Sequence, residues 1–249
     1  ILTVSGGVTL GGTGSRVGNL TMTNGGTLKL TGSLTVTNGT FTPGTGTIEY
    51  SGSAQTVSAR AYNNLTLSGS GAKTINTGTS VTRLLSISGT ATASIGAGLN
   101  ISVDSLSLGG NGTVNSTWGS TTATSATYRT NTYFAATTGY FTVASNTALT
   151  PTVTPTVGTY TYSGSAQGPN AATNTGTGTS YTYSYAGTGS TTYSASATAP
   201  TNAGSYTVTV TVAATSNGFT NAASSAATAF TIAKKALTIG SPSIATKVY

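Results

Sequence analysis

The chain has 249 residues, with nine Lys and Arg against two acids, a net charge of +7, and neither His nor Cys. Those absences exclude disulfides, thiolate metal sites, thiol nucleophiles and every histidine-based triad or general base. With 4% charged and 36% hydrophobic residues, and abundant Thr, Ser, Gly and β-branched side chains, the composition fits packed β-structure under a hydroxyl-rich surface.

From Ile1 to about Gly112 one short phrase recurs: apolar residues alternating with Thr or Ser, then a Gly or Asn turn. Leu20-Thr21-Met22-Thr23, Leu28-Lys29-Leu30, Leu34-Thr35-Val36-Thr37, Leu65-Thr66-Leu67-Ser68, Ile87-Ser88, Ile101-Ser102-Val103 and Leu106-Ser107-Leu108 all carry it. Period-two alternation puts the aliphatics on one face and Thr, Ser and Lys on the other. Asn24-Gly25-Gly26, Asn38-Gly39 and Gly109–Gly112 mark turns. A longer repeat lies on top: Asn19–Thr23 matches Asn64–Ser68 45 positions later, and Thr27–Leu30 falls at the same offset from Ala72–Ile75. Short strands, tight turns and a longer period predict stacked coils of a parallel β-helix, a solenoid. Before Trp118 the only aromatics are Phe41, Tyr50 and Tyr62, which argues against an antiparallel sandwich.

The hexapeptide YSGSAQ occurs at Tyr50–Gln55 and again at Tyr162–Gln167. Its flanks diverge at once, so one local conformation used in two different folds is expected. Trp118, Tyr128, Tyr133, Phe134, Tyr140 and Phe141 arrive together between Thr113 and about Val143. Their expected role is to cap the open end of the solenoid, which then spans residues 1–147.

Ala144–Thr156, with Pro151 and Pro155, reads as a stiff linker running into an edge strand. Longer, Tyr-rich strands are expected at Tyr160–Tyr162, Tyr181–Tyr185, Thr191–Ser194, Ser205–Val212 and Ala227–Ala233. Their spacing predicts an immunoglobulin-like β-sandwich over residues 148–235. Residues 236–249 read as the start of a further β module, so a segment of a longer protein is expected.

Chemistry-bearing residues are few. Glu49 and Asp104 are the only carboxylates, 55 positions apart, and nothing in the spacing pairs them as glycoside hydrolysis would need. No catalytic, cofactor or metal site is predicted. The cations are scattered apart from Lys234-Lys235, so no nucleic-acid-binding stripe is expected, and no apolar run is long enough to span a membrane. Tyr181, Tyr183 and Tyr185 share one face of a strand. They are candidate glycan contacts, set against packing on an opposing sheet. Thr21/Thr23 and Thr35/Thr37 form T-x-T pairs of the kind found on ice-binding solenoids, but Lys29, Glu49, Ser68 and Ser88 interrupt them.

"APTNAGSYTVTVTVA" (Ala199–Ala213) and "AASSAATAFTIAKKALTI" (Ala222–Ile239) resemble the MBG family, the mostly-β, glycine-rich modules of bacterial surface proteins. "GTIEYSGSAQTVSARAYNNLTLSGSG" (Gly46–Gly71) resembles repeats of very large Bacteroidetes adhesins, and the closing Lys247-Val248-Tyr249 resembles the opening of YDG modules. The resemblance implies a non-catalytic adhesin or filament segment at the cell surface, related to gliding or attachment and exported by the type 9 secretion system. It implies surface polysaccharide, other cells or neighbouring modules as partners. Asp104-Ser105-Leu106 is similar to a short motif O-glycosylated in exported proteins of that group, which makes Ser105 a candidate modification site. A carbohydrate-binding module and an ice-binding solenoid are the alternative expectations.

Overall fold

The computed structural model describes residues 1–240. Among them the chain is all β, with several sheets and no helix. It divides into two compact units, one of Ile1–Leu149 with Thr215–Asn221, the other of Thr150–Ala214 with the chain from Ala222 onward. The expected further module at 236–249 shows no strand over Ala236–Gly240, and the rest of it lies outside the described residues.

In the first unit, strands that pair are distant in sequence. Leu2–Val4, Thr27–Leu30, Thr47–Tyr50, Asn64–Leu67, Ser80–Ile87, Asn100–Leu108 and Tyr140–Val143 form one ladder in that order, each parallel to the next. From Thr27–Leu30 to Leu106–Leu108 the two buried rows stay in register. Leu28, Ile48, Leu65, Leu85 and Leu106 stand side by side, as do Leu30, Tyr50, Leu67, Ile87 and Leu108, and all ten are buried. Lys29, Glu49, Thr66, Ser86 and Ser107 make the row between them on the opposite face. Period-two alternation within each strand thus becomes continuous apolar and polar rows across strands. Each fully buried Leu or Ile contributes about 1.5–3 kcal/mol relative to exposure. Three shorter parallel ladders accompany this one: Val8–Leu10 with Leu34–Val36, Gly18–Thr21 with Gly39–Thr42, and Ser70–Ile75 between Gln55–Thr56 and Thr90–Ile95.

The 45-residue repeat is not a structural one. Asn19–Thr21 pairs with Thr40–Thr42, whereas Asn64–Leu67 sits in the main ladder between Thr47–Tyr50 and Ser80–Ile87. Neighbours in that ladder before its last strand are closer in sequence, from 17 positions (Ile48 to Leu65) to 26 (Leu2 to Leu28). The likeness between the two Asn-Leu-Thr segments reflects shared alternation, not a shared place. The expected strands at Ile101 and Leu106 are one strand, Asn100–Leu108. Its buried positions run Ile101, Val103, then Leu106, Leu108. The phase slips at Asp104-Ser105, opposite a bulge between Val81 and Leu84 in the neighbouring strand.

Lys73 departs from the expected outward orientation of lysines. In register it lies between Gln55 and Ala93, and it is 0% exposed. Its Nζ donates to the carbonyls of Gly52 (2.6 Å), Ser53 and Ser70 (3.1 Å) and to Oε1 of Gln55 (2.9 Å). Four acceptors share three N–H bonds, and none of them is a carboxylate. Burial pulls the Lys73 pKa below the ordinary lysine value. Gln55 braces the cage: its Oε1 also accepts from the Gly52 N–H at 2.7 Å, while its Nε2 donates to the carbonyls of Leu30 and Gly32.

This cage explains why the two YSGSAQ copies differ, against the expectation of a shared conformation. In the first copy three of the four acceptors, on Gly52, Ser53 and Gln55, converge on Lys73, and Tyr50 is buried. The second copy is in the other unit and begins just after the strand Tyr160–Thr161, and among the described residues none of its acceptors is bonded to a lysine. Tyr162 to Ala166 are exposed, Gln167 Nε2 bonds locally to the Thr161 carbonyl and Ser163 Oγ, and Gly164 takes a left-handed φ of 81° that Gly52 does not adopt.

Tyr50 and Tyr62 meet inside the first unit with their hydroxyls 3.0 Å apart. Tyr62 Oη donates to the Ser58 carbonyl and Tyr50 Oη accepts from the Ser58 N–H. The Tyr50 hydroxyl is therefore the donor to Tyr62, and a three-membered ring of hydrogen bonds closes with no buried hydroxyl unsatisfied. Desolvation raises both phenol pKa values above the usual range.

In the second unit, Tyr160–Thr161, Thr228–Ala233, Gly204–Val212 and Tyr181–Gly187 form a sheet in that order, with Ala223–Ser224 added to Gly204–Val212. All its pairs are antiparallel except the first. Val153–Thr156 pairs antiparallel with Ala171–Asn174 in a separate sheet. Val153 from that sheet enters one core with Tyr185, Tyr206, Val208, Val210, Val212, Phe230 and Ile232. Thr191–Ser194, expected as a strand, is a looser return. A turn bond from Thr191 N to the Thr188 carbonyl opens it, the Gly187 N–H donates to the Tyr193 carbonyl, and Ser196 forms an isolated bridge to Tyr185.

Lys73→Ala removes the donor shared by three backbone carbonyls and an amide oxygen, of which the Gly52 carbonyl keeps the Ser70 N–H and Gln55 Oε1 keeps the Gly52 N–H. It is expected to lower unfolding free energy by about 2–4 kcal/mol. Lys29→Ala, on the outer face, is expected to cost less than about 1 kcal/mol. Urea denaturation of the two variants measures the difference.

Candidate functional site

Both carboxylates are engaged on the first unit. Glu49 Oε1 accepts from Lys29 Nζ at 2.7 Å and from Ser68 Oγ at 2.6 Å. Lys29 and Glu49 are direct partners in the ladder, so the pair is a cross-strand contact on the polar row. Burial works to raise the Glu49 pKa, but the hydrogen bonds from Lys29 and Ser68 and the charge of Lys29 outweigh it and hold the carboxyl below its usual range. Asp104 Oδ1 accepts from Ser145 Oγ at 2.7 Å, at the bend of Asn100–Leu108. Ser105, the next residue, is half-buried beside Leu84, its Oγ 3.5 Å from the Arg83 carbonyl.

Tyr181, Tyr183 and Tyr185 do share one face, and it is the inward one. In register they oppose Val212, Val210 and Val208, each fully buried. Tyr185 is 4% exposed, with its hydroxyl donating to the Pro169 carbonyl at 2.6 Å. Its ring is enclosed, so a glycan contact at Tyr185 does not fit the structure. Tyr181 and Tyr183 are half-buried against the same core, and Tyr181 Oη accepts from Asn174 Nδ2. The T-x-T pairs do not form one rank: Thr21 pairs with Thr42 in one ladder and Thr35 with Thr9 in another.

A more open constellation lies elsewhere in the first unit, among aromatics expected only to cap it. Trp118 is 1% exposed, its Nε1 donating to the Val114 carbonyl at 3.1 Å. Tyr128 stacks on it at 4.6 Å between centroids, and Phe219 at 5.7 Å. Phe219 is carried by the turn Thr215–Asn221. Asn217 Oδ1 accepts from Thr215 Oγ1 and the Phe219 N–H, and Val114 N donates to the Gly218 carbonyl. Gly218, at φ 75°, touches the Trp118 and Tyr128 rings so closely that a Cβ would lie 2.7 and 2.8 Å from them.

Tyr128, Arg129, Tyr133 and Phe219, with Thr132 and Ser216, line a cleft of about 500 Å³, within the range of small-ligand sites. Tyr128, Tyr133 and Phe219 are half-buried and Arg129 is exposed. The aromatic cluster was visible in the sequence, but Arg129 and Phe219 were not singled out. A lone Phe after Asn217-Gly218, remote from the other rings in sequence, carries no local signal of where it packs. In the second unit a shallower depression of about 740 Å³ runs along Thr191, Tyr193, Asn202, Ser205 and Lys234.

The Glu49 shift sets an acid limb. The carboxyl is depressed in the folded state, so its contribution is complete above the ordinary value near 4.5 and lost as pH falls through the folded value. Glu49→Gln is expected to lower stability at pH 7 by up to about 1 kcal/mol and to flatten the fall below pH 4.5, as read by urea midpoints across pH 2–7. An unchanged acid limb would refute this assignment.

No helix among the described residues is long and apolar enough to cross a membrane. No family model, no curated protein and no solved structure matches the chain.

Proposed function

We propose that the chain is a non-catalytic structural and adhesive segment of a long, secreted cell-surface protein. In this reading the first unit is a parallel β-helix and the second an immunoglobulin-like sandwich of MBG type. The carrying observation is the pair of in-register buried rows through five successive strands of a seven-strand parallel ladder. Such rows make each layer the docking surface for the next, as in repeat proteins. Among the described residues Leu2–Val4, Val8–Leu10 and Gly18–Thr21 each pair along one edge only, leaving the other edge able to accept a strand of a neighbouring module.

Tyr206 supports the sandwich reading. It lies near the start of Gly204–Val212 and its hydroxyl donates to the Asn202 carbonyl at 2.7 Å. A tyrosine bonded back to a carbonyl a few residues upstream is a corner device of immunoglobulin-like sandwiches. Both carboxylates are committed to neighbours, which favours a binding or structural role over acid–base chemistry. The resemblance of Gly46–Gly71 and Ala199–Ile239 to surface adhesin modules supports type 9 export to the cell exterior, with polysaccharide, other cells or adjacent modules as partners.

Beads coated with the chain are expected to be retained under flow on polysaccharide-coated or cell-coated surfaces, and uncoated beads are not. Absence of retention on every surface would overturn the adhesive reading. With one ion pair among the described residues, unfolding free energy is expected to change by less than about 1 kcal/mol between 0.05 and about 1 M NaCl. A larger screening effect in urea denaturation would contradict the charge-poor design.

A further inference from the structure

We propose that the cleft formed by Tyr128, Arg129, Tyr133 and the Ser216–Phe219 turn binds an acidic oligosaccharide, its carboxylate on Arg129 and the C–H face of a pyranose ring on the exposed aromatic surface. The proposal deepens the adhesive reading and rests on it.

Three observations converge. The aromatic wall is preorganised: Tyr128 is held against buried Trp118 by stacking and by the strand pair Trp118↔Tyr128, and Phe219 is held by the internal bonds of its turn. Pre-set rings avoid the ordering cost that loose side chains incur on binding. Next, the Arg129 guanidinium makes no ion pair or hydrogen bond among the described residues, and no carboxylate lines the cleft. Glu49 and Asp104, the chain's only acidic side chains, are bonded to Lys29 and Ser145. A guanidinium next to aromatic surface, with no local anion, selects an anionic ligand that also stacks, and it receives a carboxylate as a two-pronged donor. Lastly, the rim adds the hydroxyls of Thr132 and Ser216, which suit a polyhydroxylated ring better than an apolar peptide side chain. A nucleic-acid strand would need a track of cations along its backbone, and Arg129 is the one cation lining the cleft.

Trp118 is the only tryptophan in the chain, so its emission reports this cleft directly. The 249-residue chain is titrated with an oligogalacturonate, with the same oligomer methyl-esterified to remove its charge, and with single-stranded DNA. The expected result is a saturable emission change with oligogalacturonate, at least tenfold weaker with the neutral ester or with Arg129→Gln, and weakening as salt is raised. Tyr133→Ala is expected to weaken it similarly, and Tyr183→Ala in the second unit to leave it unchanged. Circular dichroism confirms that each variant is folded. No saturable change, an equal response to the ester, or binding of DNA as tight as that of the uronate would each overturn the proposal. Bead retention that persists undiminished in Arg129→Gln would sink the cleft assignment while leaving the adhesive reading standing. Loss of retention in wild type would sink the adhesive reading itself.

Discussion

Parallel pairing in register sets each residue beside its counterpart on both sides, and the first unit depends on that constraint. A side chain cannot be chosen for its own strand alone; it must suit the strand before and the strand after. Where the row is aliphatic, as from Leu28 to Leu106, the fit is simple close packing. Where it is polar, opposite or hydrogen-bonding groups adjoin, as Lys29 beside Glu49. The row Gln55, Lys73, Ala93 satisfies neither pattern, and it is there that the chain builds an internal polar cage.

Several buried polar groups of the first unit share one answer. With two acidic side chains in 249 residues, counter-charge is scarce, and backbone carbonyls take its place. Lys73 is held by three of them, Tyr62 by that of Ser58, and Trp118 by that of Val114. Each bond runs from a buried side chain to a loop or strand-end carbonyl, so it ties loop conformation to the core. The second unit follows the same rule with Tyr185 on Pro169 and Tyr206 on Asn202.

The all-β class and most strand positions were legible from alternation alone. Leu28, Leu30, Leu65 and Leu67 point inward as period two requires. What alternation does not encode is which strand lies beside which. The likeness of Asn19–Thr23 to Asn64–Ser68 suggested a 45-residue period, because two strands with the same wording look equivalent wherever they sit. Lys73 carried a faint signal: it fell at the offset of Leu28, an inward position. The cleft was half legible. Its rings stood out as a cluster between Trp118 and Phe141, but their role as a ligand wall depends on Phe219, contributed from a hundred residues further along. The inward face of Tyr181, Tyr183 and Tyr185 could not be separated from an outward one until their Val partners were known.

The edges that Leu2–Val4, Val8–Leu10 and Gly18–Thr21 leave unpaired among the described residues have a consequence beyond docking. Exposed strand edges are usually guarded by charge, proline or a covering loop. Here Ile1 and Leu2 are 92% and 64% exposed, and Arg16 is the one charged side chain between Ile1 and Met22. A chain so poor in charge has little with which to repel a second strand. Any copy presenting these edges to solvent is a template for self-association into β-aggregates, and solubility then rests on keeping them covered.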